Sequence, residues 1–216
     1  MEMNIRNQLM TWASTHNLNW LIGFHNYVRG LFRDHLQELE KCEIKDVDYK
    51  LHKSALYDYD RIHNINTLLM MYSYFEEWLY HCWKTYASNT DLVDRKGSLG
   101  RFKNVARQLD VDLSSKLWQE LKNTEEVRNC LLHANGRVSL LKDPQKINTI
   151  IERKKSGLEI TKDRIQISGE YLECFNKNIS ELMDIMIKNN AQRIRLDCVR
   201  HEPQSEPFVG QARCTL

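Results

Sequence analysis

Glu125-Glu126-Val127-Arg128-Asn129-Cys130-Leu131-Leu132-His133-Ala134-Asn135-Gly136 is a helical stretch that carries Arg, Asn and His and runs out at a glycine. Upstream, Asp112-Leu113-Ser114-Ser115 offers N-cap oxygens, and Leu117, Trp118, Leu121, Val127, Leu131 and Leu132 supply an apolar stripe as far as His133. Asn135-Gly136 ends the helix as a C-terminal cap. At about 100° per residue, Asn129 and His133 are neighbours on one face. Arg128 lies about 140° from His133, with a side chain long enough to swing its guanidinium toward that face. One phosphate can then touch all three. The plainer reading is an ordinary helix end, in which Arg128 pairs with Glu125 and His133 complements the negative end of the helix dipole.

Working outward, two long amphipathic helices are predicted before this one. Leu21, Ile22, Val28, Leu31, Phe32, Leu36 and Leu39 recur at three and four as far as Lys41. His25 and His35 read as partly exposed residues of that helix. From about Arg61 to Tyr86 the stripe is Ile62, Ile65, Leu68, Leu69, Tyr72, Phe75, Leu79 and Trp83, and Glu76 falls on it. A carboxylate held in a core needs a partner to offset its lost hydration. Glu76 is therefore expected to face Arg128 or His133 and orient the site, the alternative being a small rotation that leaves it in water. Residues 1–16 read as a separate N-terminal arm closed by Ser14-Thr15-His16-Asn17, and residues 42–60 as a charged, solvated connection. After Gly136, Arg137 to Leu141 and Pro144 suggest an extended connection. Leu158-Glu159-Ile160 and Ile165-Gln166-Ile167 alternate around Lys162-Asp163 as a hairpin. Ser168 then caps a last core helix, and residues 191–216, with Pro203 and Pro207, read as a flexible tail.

The length of 216 residues and 42% hydrophobic composition fit one large domain, placed at 17–190. The net charge of +2 announces no nucleic-acid binder, so any RNA contact has to come from a local patch. Arg95, Lys96, Arg101, Lys103 and Arg107 form the most positive stretch and are the candidates for RNA binding. Phe102 among them either stacks on a base or belongs to the core beneath a solvated charged face. The glycines there match no phosphate-cradling spacing. Six cysteines without Cys-x-x-Cys spacing read as reduced thiols of a cytosolic protein with no zinc or other metal site. No run approaches the ~20 apolar residues that span a bilayer, and the acidic, polar start is unlike a signal peptide. The expectation is a cytoplasmic protein without a cofactor.

Arg128, Asn129 and His133 resemble the Arg-polar-x-x-x-His signature of the HEPN superfamily, small helical domains named for their occurrence in higher eukaryotes and prokaryotes and their nucleotide binding. The motif lies late in a long helix, after an earlier long apolar helix, and the resemblance covers roughly residues 15 to 190. It implies an all-α, HEPN-like helical bundle, here with a small β-hairpin inserted between the last two core helices. It also implies a homodimer with two motifs across a cleft, and metal-independent endoribonuclease activity of a toxin or phage-defence type, with an antitoxin or other defence-system protein as partner. His133 would then be the general base or acid in attack of an RNA 2′-hydroxyl on the adjacent phosphate, Arg128 would hold the phosphate, and Asn129 would fix the histidine or the phosphate. A non-catalytic HEPN-like module that binds nucleotide, RNA or protein through its dimer is the competing class. The chain departs from the subgroup paired with a nucleotidyltransferase antitoxin, which carries a tyrosine two residues after the histidine; Asn135 stands there.

Overall fold

The computed structural model describes residues 2–41, 47–94, 97–153 and 157–200, and the side chains of all of these except 2–9, 11, 13–15 and 194–200. The described residues are mostly helical: α1 (Glu2–Glu40), α2 (Val47–Tyr86), α3 (Ser98–Arg101), α4 (Lys103–Gln108), α5 (Lys116–Ala134), α6 (Pro144–Arg153) and α7 (Gly169–Arg200). One antiparallel hairpin, β1 (Leu158–Thr161) and β2 (Arg164–Ile167), precedes α7. Its two-residue turn is Lys162-Asp163, both at positive φ.

Three helices form the frame. Glu40 meets Lys53, Arg29 meets Asp60 and His25 meets His63, so α1 and α2 run antiparallel. Asn64 donates to the Ile167 carbonyl at 2.9 Å and Tyr72 stacks on Phe175 at 5.9 Å, so α2 and α7 run parallel. α5 packs on α2 and α7, with the Thr124 and Tyr171 hydroxyls 3.0 Å apart. On α2, His63 faces α1 and Tyr72 faces α5; nine residues separate them, about 180° on the helical wheel, so α1 and α5 lie on opposite sides of α2.

Several expectations are corrected. The arm at 1–16 is not a separate helix, because α1 continues through Ser14–Asn17 to a buried Leu18. Ser, Thr, His and Asn each cost a helix interior only some tenths of a kcal/mol, and no Gly or Pro stands there to stop it. Most of the connection at 42–60 is helix: α2 starts at Val47, and its charged residues find partners across α1, Lys53 with Glu40 at 3.0 Å and Asp60 with Arg29 at 3.1 Å. Pro144 opens α6, where its missing N–H is no loss at a first helical position, and α6 buries Ile147 and Ile150. α7 continues to Arg200, past the expected start of the tail at 191; residues 201–216 lie outside the described residues. His25 is buried, whereas His35 is exposed beside Glu38. No helix is long and apolar enough to cross a membrane among the described residues.

Candidate functional site

α5 begins where Ser115 Oγ accepts the Trp118 N–H, and it ends at Asn135 in the left-handed conformation, with the Asn135 and Gly136 amides both returning to the Cys130 carbonyl. Those two caps fix which side chains face inward. Val127, Cys130 and Leu131 enter the core, and burial pushes the Cys130 thiol up to about 11, which removes it as a nucleophile.

Arg128 is held on three sides. Its guanidinium carbon lies 5.3 Å from the centroid of the Tyr72 ring, Nη2 is 3.5 Å from Glu76 Oε2, and Nη1 donates to Asn129 Oδ1 at 3.1 Å. Glu76 is half-buried, and its other oxygen accepts the Ser98 hydroxyl. It thus faces Arg128, with no contact to His133. The pairing of Arg128 with Glu125 does not occur. Glu125 turns inward to accept the Leu99 N–H at 3.3 Å. Burial raises its pKa, against the stabilising hydrogen bonds of the Leu99 and Ser98 amides. Tyr72 is fully buried, and its phenol is pushed well up by burial first and by Glu125 second.

His133, in the last turn of α5, is exposed and free of hydrogen bonds and ion pairs among the described residues. Asn129 stands between it and Arg128. A cleft of about 430 Å³ opens beside the arginine, lined by Glu76, Tyr80, Gly97, Ser98, Arg101 and Arg128. Of the basic stretch, Arg101 joins this cleft; Lys103 is half-buried and Arg107 exposed, and neither lines it. Arg95 and Lys96 lie outside the described residues. Phe102 is 4% exposed and belongs to the core, so it offers no face to a base.

No protein-family model, curated protein or solved structure matches this chain. The chemistry therefore has to be argued from the side chains alone. An arginine with a fixed plane, an amide and a free imidazole at one helix end can bind an oxyanion and move a proton. Among the described residues no three His, Cys, Asp or Glu side chains converge as metal ligands.

Sequence reasoning missed Tyr72, Ser98 and Glu125. Tyr72 precedes Glu76 by one turn on the same stripe, a signal that was present but read as core alone. Ser98 and Glu125 reach the site only through α3, whose position depends on long-range packing.

Proposed function

We propose that this chain is a HEPN-like endoribonuclease that cuts RNA without a metal, by attack of the 2′-hydroxyl on the adjacent phosphorus. The O2′–P bond forms as the P–O5′ bond breaks, leaving a 2′,3′-cyclic phosphate and a 5′-hydroxyl. His133 removes the 2′-hydroxyl proton, which an imidazole with an ordinary pKa near ~6.5 does readily at neutral pH, and water protonates the departing 5′ oxygen. Arg128 exchanges Glu76 for the phosphate and stabilises the charge that develops on it. Asn129 spans the two. In a cell such an activity fits a toxin or phage-defence role, held in check by a partner protein.

The observation that carries this reading is the arginine held by Tyr72, Glu76 and Asn129 one turn before an unpartnered histidine. A structural arginine needs no such histidine beside it.

The test compares wild type with His133→Ala on total cellular RNA with chelator present and maps the fragment ends. Cyclic-phosphate ends from wild type alone, with DNA of the same sequence left intact, are expected, because DNA lacks the attacking hydroxyl. Equal cutting by both proteins sinks the mechanism. A second reading, a phosphate-binding module that does not cleave, draws on the engagement of Arg128 with Glu76 on a different face of α5 from His133. Folded proteins that bind RNA but leave it whole favour that reading.

A further inference from the structure

The outer face of α1 is apolar and uncovered. Trp20, Phe24, Tyr27 and Leu31 are 74%, 58%, 66% and 50% exposed, and their 4-3-4 spacing makes a continuous stripe of the kind that seats a second helix. Tyr27 and Trp20 lie about 140–160° around the wheel from the buried His25, so no rotation of α1 covers both sets. Beside the stripe runs a groove of about 490 Å³ that includes His16, Asn19 and Gly23. A Cβ at Gly23, or at Gly30 one heptad later, would meet nothing within 4 Å. A ridge of large side chains thus lies next to a trough kept open by glycine, on one face of one helix.

We infer that this face is the dimer interface: a second copy of the chain packs its α1 across this one about a two-fold axis. The surface is self-complementary, because the aromatic ridge of one copy has the glycine trough of the other to fill, as an isologous contact requires. Its size agrees. Taking ~150–250 Å² for a buried aromatic side chain, the stripe together with Trp12 offers roughly 600–700 Å² per chain at the observed exposures. Tyr59, Ile62 and Met70 of α2, all exposed, bring this toward the ~800 Å² per partner of a standard interface. The charge disfavours a lipid surface, since residues 16–41 carry three basic and three acidic side chains where a membrane-bound helix is rimmed by cations.

The interface has a consequence for the site. α5 lies on the other side of α2 from α1, so docking through α1 leaves the Arg128 and His133 pairs facing outward at opposite ends of the dimer. Each site then works with the residues of one chain. This consequence rests on the ribonuclease reading, whereas the interface itself does not.

Sedimentation of the full chain at micromolar concentration tests the interface. The expected mass is twice the 25.7 kDa of one chain. Tyr27→Asp, and Gly23→Leu, which fills the trough, should each weaken association at least tenfold with helical circular dichroism unchanged. A wild type that stays monomeric at tens of micromolar overturns the inference, as does a folded Tyr27→Asp that remains fully dimeric. So does a monomer that co-sediments with phosphatidylcholine–phosphatidylglycerol vesicles through Phe24. Mixing Arg128→Ala with His133→Ala should restore no cleavage; recovered activity would place both sites at one shared cleft and overturn docking through α1.

Discussion

Arg128 and Tyr72 meet face-on, the guanidinium carbon 5.3 Å from the ring centroid, and this contact fixes the plane in which the arginine presents its donors. The Tyr72 hydroxyl forms no well-aligned hydrogen bond, so the ring carries the interaction. Tyr72→Phe should keep both fold and RNA cleavage. Tyr72→Leu, similar in bulk but lacking the π face, removes an attraction of about 0.5–2 kcal/mol and should slow cleavage by about tenfold. Single-turnover assays on one RNA substrate, beside thermal unfolding of both variants, check this; equal rates for Phe and Leu would show that the ring does not position the arginine.

Gly97 stands at φ +101°, and a Cβ there would lie 2.8 Å from Glu125 Oε1, the oxygen that accepts the Leu99 N–H. Gly97→Ala therefore combines backbone strain with displacement of a buried carboxylate, together about 1–3 kcal/mol. Glu125→Ala removes the clash but not the strain, so the double variant should be destabilised by less than the sum of the singles. Urea unfolding of the four proteins measures it. Strict additivity would mean that the two residues do not press on one another.

His25 lies between α1 and α2, its ring stacked on His63 at 4.9 Å and its Nδ1 3.2 Å from Thr67 Oγ1. Burial first, then His63 and Arg29, lower its pKa from 6.5 to about 4, with Asp60 opposing. The unfolded chain therefore binds a proton between pH 6.5 and about 4 that the native chain refuses, and stability falls as pH falls through that window. The loss is about 2–3 kcal/mol at 1.36 kcal/mol per pKa unit. Unfolding free energies at pH 7 and pH 4.5 should differ by most of this amount in wild type and by much less in His25→Leu; a parallel decline in both would assign the acid sensitivity to other groups.

The helical character, the hairpin around Lys162-Asp163 and the caps at Ser115, Gly136 and Ser168 were legible in the sequence, because each rests on local chemistry: period, propensity and the conformations that Gly and Asn tolerate. The junctions were less so. Whether Ser14–Asn17 breaks a helix, or whether the charged residues at 47–60 form one, depends on what lies across from them, and Leu18, Glu40 and Arg29 supply that answer only once α1 and α2 pair.

The candidate site divides in the same way. Sequence alone determined that Asn129 and His133 share a face one turn apart and that Glu76 falls on an apolar stripe, since helical spacing places them whatever surrounds them. Only the tertiary structure decided that Glu76 meets Arg128, that Glu125 turns away to Leu99, and that Tyr72 lies beneath the guanidinium. An arginine near a helix end has carboxylates within reach both along its own helix and across the interface, and the packing of α2 and α3 against α5 selects between them by burying one and leaving the other at the rim of the cleft.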